Sequence, residues 1–192
     1  MSVRCAHQDG LKDLFEDEVA QRAFSLLERY ADSGIIPKEE LDEELVLFFD
    51  SEKLAFPVSS SRDSLSWGTR LIGVQDLEIP YIIRVLFKSG CDWQVAVREY
   101  FTAIGEERVE DFVEIAREIV KRRHKFLISG DEIVEICERY GRDGGVVIAE
   151  LKGAGIISPY AGCGRAASKL EKIYGSPLYE VNRFFARLVE AT

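Results

Sequence analysis

The sequence predicts a mostly α-helical protein with small β-hairpins. Three observations carry that expectation. Apolar residues recur at three- and four-residue steps over most of the chain, the period of an amphipathic helix. Two shorter stretches combine β-branched or aromatic residues with serine- or glycine-rich loops, the texture of hairpins. With 46% hydrophobic and 10% aromatic residues among 192, the chain can also bury a proper core.

In order, residues 11–30 place Leu11, Leu14, Phe15, Phe24, Leu27 and Tyr30 near one helical face, and Gly34 follows as a stop. Pro37 suits the first position of the next helix, with Leu41, Leu45, Phe48 and Phe49 inward. Residues 54–58 and 67–74 read as a hairpin around a serine-rich tip. Pro80 opens a helix that ends at Gly90. Asp92 caps another, whose stripe of Trp93, Ala96, Val97, Tyr100, Phe101 and Ile104 is core. Val109, Phe112, Val113, Ala116, Ile119 and Val120 mark a further helix that ends in a basic run. Ser129 or Asp131 caps the following one, with Ile133, Ile136, Cys137 and Tyr140 inward. After a tight turn at residues 141–144 comes a third helix carrying Val147, Ile148 and Leu151. Strands are expected from residue 156 and over 178–181, and Phe184, Phe185, Leu188 and Val189 stripe a last helix.

Charge divides the chain. Net charge is −9 overall, but −11 over residues 1–111 and +2 over 112–192, which justifies reading two parts separately. The expected domains are therefore an acidic helical domain over 1–106, with its hairpin at about 54–74, and a second domain over 107–192. No apolar run approaches the roughly 18 residues a membrane helix needs. Asp9, Asp13, Glu16, Asp17 and Glu18 stand where a signal peptide would need an apolar stretch, so a cytoplasmic protein is expected. Cys5, Cys91, Cys137 and Cys163 form no C-x-x-C pair and are read as free, mostly buried thiols. One asparagine, one methionine and abundant Glu, Arg and Lys are a thermophile's composition.

Residues 133–159, I-V-E-I-C-E-R-Y-G-R-D-G-G-V-V-I-A-E-L-K-G-A-G-I-I-S-P, resemble the helix-turn-helix core of winged-helix proteins. The resemblance covers roughly residues 107–192 and implies a third helix followed by strands that form a wing. It departs at the wing, where residues 161–176 intervene and 166–174 look helical. An internal echo suggests that the N-terminal part is a second, divergent winged helix. Glu28-Arg29-Tyr30, Gly34, Glu40 and Leu41 recur as Glu138-Arg139-Tyr140, Gly144, Glu150 and Leu151, all offset by 110.

The resemblance implies a DNA-binding regulator of transcription, with double-stranded DNA as partner and the third helix in the major groove. The residues that would serve it are Arg142 and Lys152 with the patches Lys121, Arg122, Arg123, Lys125 and Arg165, Lys169, Lys172. The alternative for the 121–125 run is a solvated helix end that offsets the dipole. The alternative for the whole domain is a protein-interaction module in a larger assembly, since the total charge is acidic and the third helix is weakly basic. The Phe184-to-Val189 stripe could serve a homodimer or the core. Catalysis is not expected. Gly162, Gly164 and Ala167 match G-x-G-x-x-A, but Pro159 interrupts the strand before them and no parallel sheet is indicated. No P-loop, G-x-S-x-G or H-E-x-x-H occurs and there are two histidines, so no cofactor or metal is expected.

Overall fold

Helix, strand, a helix or helical turn, helix, strand, strand, helix: this succession occurs twice along the chain. The computed structural model describes residues 18–58, 75–160, 170, 172–173 and 177–192. In the first half these are α1 (Glu18–Tyr30), β1 (Ile35–Ile36), a 3-10 turn (Lys38–Glu40), α2 (Glu43–Glu52), β2 (Phe56–Pro57), β3 (Leu77–Glu78) and α3 (Tyr81–Lys88). After α4 (Trp93–Ala103) the second half runs α5 (Val109–Arg122), β4 (Leu127–Ser129), α6 (Gly130–Arg139), α7 (Gly144–Ala154), β5 (Ile157–Pro159), β6 (Leu178–Val181) and α8 (Arg183–Glu190). Each half holds an antiparallel three-stranded sheet with its third strand in the middle, β1-β3-β2 and β4-β6-β5. The protein is thus mostly helical with small antiparallel sheets. No helix among the described residues is long and apolar enough to cross a membrane.

The halves resemble each other at the ends of α2 and α7. Asp42 and Asp143 cap α2 and α7 by the same bond, each Oδ1 accepting the backbone N–H three residues on, at 2.9 and 3.0 Å. Such caps satisfy donors that a helix start leaves open. Both helices end in a left-handed residue, Lys53 (φ 60) and Gly155 (φ 82). At Gly155 the conformation and the space both demand glycine, because a Cβ would lie 2.7 Å from that of Pro80.

The two halves do not match at the offset of 110 expected from the sequence. β1 and β4 begin at Ile35 and Leu127, 92 apart, whereas β2 and β5 begin at Phe56 and Ile157, 101 apart. The difference arises at the second helix, a three-residue 3-10 turn in one half and the ten-residue α6 in the other. The echo of 110 had laid the end of α1 on the end of α6, which are different elements. Pro37 opens the 3-10 turn and not a long helix. The hairpin is also corrected in part: β2 pairs with β3 at Leu77–Glu78, while 67–74 and the expected start of the first helix at 11–17 lie outside the described residues. β4, a three-residue strand, was not foreseen.

One continuous core serves both halves. Phe101 of α4 stacks on Phe112 of α5 with centroids 3.8 Å apart, and Phe87 of α3 lies nearly parallel to Phe184 of α8 at 5.9 Å. Phe24 of α1 packs on Phe48, Phe87 and Phe184. Phe101, Phe112 and Phe184, which are fully buried, contribute about 1.5–3 kcal/mol each. Of the Phe184-to-Val189 stripe, Phe184, Phe185 and Leu188 are buried in the core and Val189 packs half-buried against it. Polar ties cross the same seam. The Trp93 indole donates to Thr192 Oγ1 at 2.8 Å, and Arg183 donates to the Ser51 carbonyl at 3.0 Å.

Candidate interaction surfaces

α7 is the element on which a DNA-reading role would depend. Its position is set by α6, which starts at a capping box: Ser129 Oγ accepts the Glu132 N–H at 3.2 Å, and Glu132 accepts the Ser129 N–H at 2.9 Å. Gly144 lets α7 approach α6, since a Cβ there would meet Val134 at 2.7 Å. α7 buries Gly144, Val147, Leu151 and Ala154. Its exposed residues are Gly145, Val146, Ala149 and Gly153, with Val146 54% exposed. Lys152, the helix's single basic residue, is half-buried.

Arg142, just before α7, points its bonds inward. Nε donates to Asp111 at 3.0 Å and Nη1 to Glu106 at 2.6 Å, while Nη2 reaches the carbonyls of Glu107 and Arg108. Its guanidinium lies 4.4 Å from the centre of the Phe112 ring and its side chain is 14% exposed. It is a clamp between the α4–α5 connection and the turn before α7.

Beside the clamp sits Glu150 of α7, one of whose oxygens is buried without a hydrogen-bond partner. Burial first, and then the Glu106 carboxyl, push Glu150 up to about 7, while Arg142 acts in the opposite sense. The folded state therefore holds this proton more tightly than the unfolded chain between pH 4.5 and 7. Stability from this site is present below that window and is lost as pH rises through it. Glu150→Gln is expected to melt higher than the parent at pH 8, by about 2–4 °C if 1 kcal/mol is recovered, and to show no gain at pH 4.5. Thermal melts across pH check this; equal gains at both values would refute it.

The other expected DNA contacts are dispersed. Arg122 is held by Glu135 through two nitrogens, each 3.1 Å from a carboxylate oxygen. Arg123 is 10% exposed and pairs with Glu190 at 2.8 Å. Lys121, Lys125 and Lys172 are exposed; Arg165 and Lys169, like the Gly162–Ala167 loop, lie outside the described residues. The structure thus brings Lys121, Arg123 and Lys125 together, with Arg117, which the sequence did not single out, along one groove of about 490 Å³. None of that lining comes from α7. No group of three or more His, Cys, Asp or Glu among the described residues is placed to hold a metal.

Cys137 is a buried free thiol, pushed by burial up to about 11. Cys91 is disulfide-bonded, which corrects the expectation of a free thiol there and departs from what a reducing compartment favours.

A protein-family model matches residues 9–192, nearly the whole chain and both halves of this architecture. The chain belongs to that family. No curated protein and no solved structure matches it.

Proposed function

We propose that the protein is a non-catalytic winged-helix protein, two such units in tandem, whose α7 face docks another protein. The winged-helix reading is supported by the order helix, strand, helix, helix, strand, strand, and by sheets whose third strand lies in the middle. The resemblance of residues 133–159 points the same way. The observation that carries the interaction reading is the outward face of α7. Reading base edges takes donors, acceptors and cations, and Gly145, Val146 and Ala149 supply none. A valine 54% exposed between small residues instead lets an apolar partner surface approach closely, as the centres of protein interfaces do. The transcription-regulator reading draws no support from α7, because Arg142 is used internally and Lys152 stands alone.

The test is the full-length chain carrying Val146→Glu and Ala149→Glu. Both positions are exposed, so stability should change by no more than about 0.5 kcal/mol each. Purified from its native source, the parent is expected to bring a stoichiometric partner and the variant to lose it. A parent that purifies alone, or a variant that keeps the partner, overturns the proposal.

A further inference from the structure

The groove at the end of α5 has the makings of an anion site. Arg117, Lys121, Arg123 and Lys125 line it, with Val120 and Val189, and Glu190 is the one carboxylate among the described lining residues. In a chain of net charge −9, four cations against one anion is a strong local excess. Arg117 is partly engaged, ion-paired with Glu114 and 5.3 Å from the centre of the Trp93 ring. Lys121 and Lys125 are exposed and take part in no ion pair among the described residues.

Two further features point to a ligand. Arg123 is nine-tenths buried, its Nη1 donating to the Val120 carbonyl and its Nη2 lying 2.8 Å from Glu190, yet its Nε is buried with no acceptor. A buried cationic donor left open marks incompletely compensated positive charge at the groove wall, which an anion in the groove offsets through its field. Lys125 sits at φ 60, in the left-handed region, held there by the reciprocal bonds of His124 and Leu127 at 2.7 and 3.1 Å. Glycine or asparagine adopts that conformation at less cost, so backbone strain is borne at the position that brings a lysine to the groove.

We infer that this groove binds a phosphate group, supplied by a nucleic-acid backbone or by a small phosphorylated molecule. Arg123 supplies positive charge at the groove wall, and Lys121 and Lys125 close over the anion from the rim. Because no lining residue belongs to α7, the site stands or falls independently of the protein-docking reading.

Titration of the full-length chain with inorganic pyrophosphate at constant ionic strength tests it. Lys121→Gln with Lys125→Gly removes two rim charges, and the glycine suits the left-handed turn, so the variant keeps its fold. Pyrophosphate is expected to bind the parent and to bind the variant at least roughly tenfold more weakly, the loss of two charge-assisted contacts. Displacement of bound pyrophosphate by a short DNA duplex assigns the group to a nucleic-acid backbone; displacement by AMP assigns it to a small phosphomonoester. Absence of binding, or equal binding by parent and variant, overturns the inference.

Discussion

Arg142→Ala is expected to lower stability by about 3 kcal/mol, near the lower bound for breaking a largely buried ion pair, and hence to lower the melting temperature by about 6–12 °C. The arginine joins Glu106, Asp111 and two backbone carbonyls and covers Phe112. Removing it leaves two carboxylates, 26% and 21% exposed, short of a cation and takes away the charge that holds Glu150 down. Arg142→Lys should recover only part of the loss, because an ammonium cannot bridge two carboxylates and two carbonyls in one plane. Denaturant unfolding of the three proteins measures this. An arginine that served DNA alone would give the opposite pattern, unchanged stability with weaker DNA affinity.

Asn182→Ala should cost about 2–4 kcal/mol, a helix cap together with a buried carbonyl left open. Asn182 is fully buried. Its Oδ1 accepts the Phe185 N–H at 3.0 Å and so caps α8. Its Nδ2 donates to the Lys53 carbonyl at 2.9 Å and to the Gly155 carbonyl at 3.4 Å. Lys53 and Gly155 are the C-terminal caps of α2 and α7, the corresponding helices of the two halves, so one amide ties three helix ends. Asn182→Asp is expected to be worse than alanine, since a carboxylate would face two carbonyl oxygens in a buried site. Urea melts give the ranking, and a loss below about 1 kcal/mol for alanine would mean that the seam does not depend on this residue.

The asparagine shows how much a single sequence reveals. That the chain holds one asparagine was plain; that it is the joint between halves was not, because its partners lie 129 and 27 residues away. Elements governed by local chemistry were legible. Asp92, Ser129 and the apolar stripes of α4 to α8 announced themselves through caps and the 3.6-residue period. β4 was missed because three residues carry too little alternation, and the first half's second helix because only a 3-10 turn remains of it. The basic run at 121–125 looked like one patch of free cations, but the helix ends at Arg122 and the chain turns at Lys125, so only part of the run shares a groove. Arg122 turns to Glu135 and Arg123 is buried against Glu190, while Lys121, His124 and Lys125 are exposed. The charge of +2 over residues 112–192 was likewise a poor guide, because its arginines are largely paired, as Arg139 is with Glu118 and Arg187 with Glu52.

Whether α7 faces protein or DNA is the point on which the account rests, and fluorescence anisotropy of a labelled DNA duplex against the full-length chain at low salt addresses it most directly. Parent and the Val146→Glu, Ala149→Glu variant should give the same titration curve, because any affinity for phosphates arises at the groove on α5 and α8. A parent that binds the duplex, and loses that affinity roughly tenfold or more when acid is placed on α7, as repulsion from backbone phosphates would cause, would contradict it.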